Sequence, residues 1–192
     1  MQGDQVVVSE LFFNPKNVGD AMEPSFTGRS ASFQCGATLR ISLQIDESQR
    51  IVEAKFKAAG CSVMVASAAL LTEQVLGMTT GEAATLGQQV GFIAAQLGPV
   101  ETERTVCSQL ACGALLAAIR EYSDAIRDSW EGEQALICTC FGVSEKTIER
   151  EIQANGLRTI AEVTRVCNAG AGCRSCYPLI EDILDDCARG KR

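Results

Sequence analysis

The chain has 192 residues, ten Cys and no His, with 17 Lys and Arg against 24 Asp and Glu for a net charge of −7. Without imidazole there is no Ser-His-Asp or Cys-His catalytic pair, no HExxH zinc site, no Rieske centre and no His-ligated haem. The acidic balance, with no basic cluster before the last residues, argues against a nucleic-acid partner. Hydrophobic residues make up 46% of the chain, enough for a core and against disorder. The longest nearly uncharged apolar stretch, around Cys61–Leu71, is too short for a bilayer, and Met1-Gln2-Gly3-Asp4 does not open a secretory signal. The expectation is a cytoplasmic protein with no membrane partner, where thiols stay reduced and serve metals or redox chemistry.

In chain order, Asn14-Pro15-Lys16 reads as a turn beside Phe12 and Phe13, two rings that either pack the N-terminal segment or belong to a partner-binding motif. Residues 38–45 (TLRISLQI) alternate apolar Leu39, Ile41, Leu43 and Ile45 with polar neighbours, and Val52, Ala54, Phe56 and Ala58 repeat the pattern after a polar turn at 46–50. The two segments predict an antiparallel hairpin. Helical composition follows over 62–76, stopped by Gly77, and then two shorter helices are predicted at Thr80–Leu86 and Gln88–Leu97, the first capped by Thr79 or Thr80. A long Ala- and Leu-rich helix runs from a cap at Thr102 or Thr105 to about Trp130, a residue expected to pack between domains. The first 130 residues are thus expected to be α+β, a small antiparallel sheet with packed helices. Polar residues 131–135 form the expected linker.

The remaining residues, 136–192, predict a small all-helical domain with helices at 144–155, 158–166 and 177–188. The last is amphipathic, with Leu179, Ile180, Ile183 and Leu184 on one side. A unit this small needs a staple such as a metal. Cys138-Thr-Cys140 and Cys173-Arg-Ser-Cys176 provide one, because a turn and a helix start can aim four thiolates at one centre. Both tetrahedral zinc and an iron–sulfur cluster accept four thiolates, and the CxC spacing tilts the reading toward iron–sulfur. Gly170 and Gly172 would let backbone N–H groups approach the site. Four buried thiols with no metal is the bland alternative. Cys167 and Cys187 fall outside this set; on one helix Cys187 would lie about 16 Å beyond Cys176, and both read as packing or surface residues.

The stretch ICTCFGVSEKTIEREIQANG…NAGAGCRSC, over roughly 136–186, resembles the bacterioferritin-associated-ferredoxin-like [2Fe-2S] domain. The resemblance implies a permanent [2Fe-2S] cluster on Cys138, Cys140, Cys173 and Cys176. Three further cysteines, Cys35, Cys61 and Cys107, sit at predicted element boundaries. Their neighbourhoods, FFNPKNVG at 12–19, CGATL at 35–39, KFKAAGCSVMVAS at 55–67 and VCSQLACGAL at 106–115, resemble the IscU/NifU-type iron–sulfur scaffold domain over about 10–130. Scaffold followed by ferredoxin is the domain order of the NifU-type assembly proteins. The resemblance implies a transient [2Fe-2S] or [4Fe-4S] cluster on Cys35, Cys61 and Cys107, built with sulfur from a cysteine desulfurase and electrons from a reductant, then passed to apo-iron–sulfur proteins. It implies a scaffold and carrier rather than a turnover enzyme, serving nitrogen fixation or general cluster assembly, and leans toward a homodimer.

Several positions depart from the family pattern. Ala37 stands where the family carries Asp, and Val106 where it carries His, so two groups that could ligate or loosen a cluster are replaced by inert side chains. Leu97-Gly98-Pro99-Val100-Glu101 replaces a basic chaperone-recognition motif. Cys112 does not supply a fourth ligand, since five helical residues turn it about 140° away from Cys107. The further CxxC domain of longer family members is not in this sequence, so clusters carried there are expected to be handled by another protein. The competing expectation is an electron-transfer protein whose scaffold domain no longer assembles clusters; a structural zinc protein is a distant third.

Overall fold

The computed structural model describes residues 4–98, 105–130 and 135–190; the expected cap Thr102, the Pro99–Glu101 stretch and residues 131–134 of the expected linker lie outside them. The chain divides into two compact units, Met1–Glu121 and Tyr122–Arg192.

The first unit contains α1 (Asp4–Phe13), β1 (Phe26–Ala31), β2 (Thr38–Ile45), β3 (Ile51–Ala59), α2 (Ser62–Gln74), α3 (Thr80–Gln88), α4 (Val90–Gln96) and most of α5 (Thr105–Asp128). The predicted hairpin of β2 and β3 is present, and β1 adds a third antiparallel strand in the order β1-β2-β3. Two elements escaped the sequence pattern. β1 (FTGRSA) offers too little apolar alternation to register as a strand, and pairing with β2 creates it. α1 presents apolar residues on several sides, with no clear amphipathic period. Its two aromatic rings, Phe12 and Phe13, meet edge to face with centroids 5.2 Å apart. Phe13 is nonetheless 76% exposed, so it does not pack the segment.

Alternation along β2 and β3 buries Leu39, Ile41, Leu43, Ala54 and Phe56 on one face. Val63, Met64 and Leu71 of α2, Ile93 of α4 and Leu115 of α5 complete that core. Each such side chain contributes about 1.5–3 kcal/mol of burial free energy. The free edge of β3 is covered by residues 17–19: Phe56 N–H donates to Asn17 O at 2.8 Å, and Gly19 N–H to Phe56 O at 2.8 Å. Such cover removes an edge that would otherwise recruit another strand. Thr79 caps α3 in a reciprocal capping box with Glu82, as the sequence anticipates.

The second unit takes the last residues of α5, then β4 (Leu136–Cys138), β5 (Val143–Ser144), α6 (Glu145–Asn155), α7 (Ile160–Cys167) and α8 (Tyr177–Ala188). Its three helices follow the predicted ones, with a short β4–β5 ladder ahead of them. Ser144 caps α6, Gly156 ends it at φ 63°, and Thr159 caps α7 in a second capping box. On α8, Ile180, Ile183 and Leu184 are buried, whereas Leu179 stays 48% exposed and leaves the predicted apolar side. The end of α5 belongs to this unit because Ile126 lies over Gly142, where a Cβ would come within 2.0 Å of the Ile126 side chain. Trp130 is 46% exposed. Among the described residues no helix is long and apolar enough to cross a membrane.

Gly28 of β1 lies directly against the α5 backbone: a Cβ there would fall 1.9 Å from Ala114 O and 2.4 Å from Ala118 N. Both obstacles are backbone, so they cannot rotate away. Gly28→Ala is expected to destabilise the unit by about 1–3 kcal/mol, read as a lower urea midpoint. Gly113→Ala, on the exposed side of the same helix with nothing within 4 Å, is expected to stabilise it by about 0.5–1 kcal/mol.

Candidate functional site

Antiparallel pairing places two chain segments at one end of the three-stranded sheet, and helix packing brings a third. The β1–β2 turn begins after Ala31↔Thr38 and carries Cys35. β3 leaves the sheet after Thr38↔Ala59, passes Gly60 and delivers Cys61 as the N-cap of α2. Cys107 lies in the first turn of α5. Cys61 Sγ and Cys107 Sγ are 3.5 Å apart. Cys35 and Cys61 are exposed and Cys107 is buried, so the set has one wall inside the protein and two thiols facing outward.

The Cys35 turn is held by Ser32 N–H donating to Ala37 O at 2.8 Å, Gly36 N–H to Ser32 O at 2.9 Å, and Cys35 N–H to Ser32 Oγ at 3.4 Å. Hydrogen bonds from the Ser32 hydroxyl, and then the Ala37 backbone, hold the Cys35 thiol below its ordinary pKa. Ser32 is a participant that sequence reading missed, because a serine three residues before a cysteine carries no signal until the turn closes. Ala37 is 3% exposed. Its methyl lies 3.1 Å from where a Gly60 Cβ would be, so the residue in the family's Asp position packs the Cys35 turn onto the start of α2. Val106 is half-buried at the start of α5. Cys112 is 1% exposed and burial pushes its thiol up to about 11, which makes it a core residue.

In the second unit each cysteine of the CxC pair meets one of the CxxC pair. Cys140 Sγ and Cys173 Sγ are 3.3 Å apart, and Cys138 is hydrogen-bonded to Cys176, the N-cap of α8. Cys138 and Cys176 are buried, Cys140 is half-buried and Cys173 is exposed. Burial, followed by the charge and hydrogen bond of Cys138, pushes Cys176 up to about 12. Hydrogen bonds from the Ser175 side chain and backbone and from Cys140 bring exposed Cys173 down to about 7. Gly170 N–H donates to Cys138 Sγ at 3.5 Å. A Cβ on Gly172 would crowd Cys140 Sγ at 3.2 Å and Cys140 Cβ at 3.0 Å, so the glycine leaves the space beside that sulfur clear.

This donor set suits a thiolate-held cluster: four sulfurs from two short motifs, a backbone N–H on one of them and glycine where a side chain would intrude. The side chains lie as sulfur pairs; among the described residues no three Cys, Asp or Glu groups are gathered closely enough to form a ready metal site. Cys167 is 8% exposed with its Sγ donating to Val163 O at 3.2 Å, and burial and, to a smaller extent, neighbouring charge including that of Cys138 push its thiol up; Cys187 is half-buried on α8.

The thiol environments set an order of reactivity, since the thiolate is the nucleophile and a lowered pKa makes it available at lower pH. In the metal-free protein, alkylation of Cys173 is expected to rise as pH passes about 7. Cys35 and Cys173 should be modified well before Cys112, which ionises only near pH 11. Peptide mass mapping across a pH series checks this, and early labelling of Cys112 would contradict it.

Comparison with known proteins also divides the chain in two, between residues 128 and 136. Residues 4–128 match the NifU-like N terminal domain and residues 136–186 the BFD-like [2Fe-2S] binding domain. The nitrogen fixation protein NifU of Trichormus azollae is 39% identical over 194 aligned residues covering 96% of this chain, which spans 64% of that relative's length. NifU of Azospirillum brasilense is 38% identical over 93% of this chain and 58% of its own length. The iron-sulfur cluster assembly scaffold protein IscU of Azotobacter vinelandii is 37% identical over 60% of this chain and 90% of its own length. With 125 of 192 residues in the first match and a BFD-like [2Fe-2S] binding domain after it, the chain belongs to the NifU-like family.

Proposed function

We propose that this chain is a scaffold for iron–sulfur cluster assembly, building a transient cluster on Cys35, Cys61 and Cys107 and passing it to apo-proteins, with a permanent [2Fe-2S] cluster on Cys138, Cys140, Cys173 and Cys176. The observation that carries the reading is the convergence of Cys61 and Cys107, 3.5 Å apart, at the sheet end where the Cys35 turn packs on Gly60. Soft thiolates suit iron and exchange readily with an incoming thiolate, which is what a carrier needs.

Within this reading Cys35 is the sulfur acceptor. It is exposed, and the Ser32 hydroxyl and Ala37 backbone stabilise its thiolate. That thiolate attacks the outer sulfur of a persulfide on a cysteine desulfurase; the donor's S–S bond breaks, the donor leaves as thiolate, and Cys35 carries the persulfide. Two electrons from a reductant then convert the sulfane sulfur to sulfide and restore the Cys35 thiolate. Buried Cys107 holds iron from the inner side, with exposed Cys61 beside it.

In the second unit a [2Fe-2S] group supplies one-electron chemistry. The buried thiols Cys138 and Cys176 and the more accessible Cys140 and Cys173 would hold it, and Gly170 N–H would offset negative charge on the Cys138 sulfur. The replacement of Asp and His by Ala37 and Val106 favours one competing reading, an electron carrier whose first unit only docks.

Iron and acid-labile sulfide per chain separate the two. Anaerobically purified protein is expected to hold about two irons, rising to about four after desulfurase-driven reconstitution. Cys35→Ser, Cys61→Ser and Cys107→Ser should each abolish the rise while leaving the ferredoxin absorption unchanged. Two irons that never rise would replace the scaffold with the electron carrier. Cys138→Ser or Cys176→Ser should remove the resting absorption.

A further inference from the structure

The outward face of the sheet carries a charge pattern that the cysteine chemistry leaves unused. Arg29 of β1 pairs with Arg40 of β2, which pairs with Lys57 of β3. Three cations therefore stand side by side in one row across a protein of net charge −7. Adjacent strands are about 4.8 Å apart, so the row spans about 10 Å. Asp20 bridges Arg40 and Lys57. Arg29 is exposed, and among the described residues it has no ion pair. Three cations face one carboxylate, which leaves the row a surplus of two positive charges.

The row lies in a groove of about 660 Å³, a size suited to a small molecule. One end is closed, because the segment after Asp20 crosses the sheet: Ala21 N–H donates to Ser42 Oγ at 2.8 Å and Met22 N–H to Glu53 Oε2 at 2.8 Å. Lys55 lies beyond the row on β3 and is engaged with Glu53 on the same strand. In the other direction Ala31, Thr38 and Ala59 form the next row, small side chains that leave a low floor. Beyond that floor lie the Cys35 turn and Cys61. Lys57 and Cys61 are four residues apart, about 13 Å along an extended strand. The long Arg and Lys side chains reach along the groove for part of that distance, and a tripeptide with both carboxylates on the row projects the thiol of its central residue across the remainder.

We propose that this groove binds a carboxylate-bearing thiol of about tripeptide length, its carboxylates on Arg29, Arg40 and Lys57 and its sulfur at the Cys35–Cys61 end. The second part rests on the scaffold reading: with Ala37 and Val106 flanking a three-thiolate site, the bound thiol supplies the fourth thiolate from outside the chain. Carboxylates recognise Arg by paired, charge-assisted hydrogen bonds, and a row of three cations holds a ligand with two carboxylates better than a single-charge ion.

Reduced glutathione, S-methylglutathione and acetate, titrated into the metal-free full chain by calorimetry, test the site independently of any cluster. Both peptides are expected to bind alike, at least tenfold more tightly than acetate. Arg29→Gln and Lys57→Gln should each weaken binding about tenfold, and Lys146→Gln, an equal charge change on exposed α6, should not. Amide shifts in the unaltered protein should concentrate at residues 29–31, 38–40 and 57–61, so the site is read even if a variant fails to fold. Glutathione binding no tighter than acetate, shifts elsewhere, or equal weakening by Lys146→Gln overturns the proposal. On iron- and sulfide-loaded protein, glutathione but not S-methylglutathione is expected to slow cluster loss at least threefold, an effect absent in Arg29→Gln. Equal protection by the S-methyl compound overturns the fourth-ligand role. If no iron loads at the three cysteines, the scaffold reading fails while the binding measurements still decide the groove.

Discussion

The antiparallel register of β1, β2 and β3 is the constraint on which the first unit depends. One set of backbone hydrogen bonds brings the Cys35 turn and the Cys61 helix start to the same end of the sheet. It also turns Leu39, Ile41, Leu43 and Phe56 toward the helices. A slip of one residue between β2 and β3 would exchange core and solvent faces and move Cys61 away from Cys107. Packing then closes the end. Ala37 meets Gly60, the first turn of α5 brings Cys107 to 3.5 Å from Cys61, and Gly28 lets α5 approach the sheet backbone.

Two different solutions to holding sulfur appear along one chain. In the second unit, two short motifs carry all four cysteines, each motif supplies one buried and one more accessible thiol, and Gly170 N–H adds a hydrogen bond from the backbone. That arrangement suits retention. In the first unit the cysteines come singly from a turn, a helix cap and a helix start, and two of the three are exposed. Access favours ligand exchange. The proposed division between a resident and a transient cluster follows from this contrast in how each sulfur is anchored.

The second unit was largely legible in sequence because its signals are local. Ser144 at the start of a helical period, Gly156 after one, and CxC and CxxC spacings each act within a few residues, whereas Thr159, the cap of α7, lay inside the helix expected from Arg158. The hairpin and α2 to α5 were legible for the same reason. β1 was not, since FTGRSA becomes a strand only by pairing with β2. Leu179 followed the helical period yet points to solvent, because the period gives the apolar stripe but not its width against the neighbouring helices.

Sequence alone determined which atoms can do chemistry: seven cysteines in recognisable settings, no imidazole, and Ala37 and Val106 in place of groups able to bind metal. Tertiary structure decided which of those atoms meet. The Cys140–Cys173 contact joins members of the CxC and CxxC pairs, 33 residues apart, whereas the Cys61–Cys107 contact joins residues 46 apart and depends on long-range packing that no local pattern encodes. The same holds for the Ser32 hydroxyl at Cys35 and for Arg29, Arg40 and Lys57, whose charges are scattered along the chain and become one row only through strand register. Residue chemistry is a property of single positions, whereas a site is a property of distances, and those are set by the pairing and packing of the whole unit.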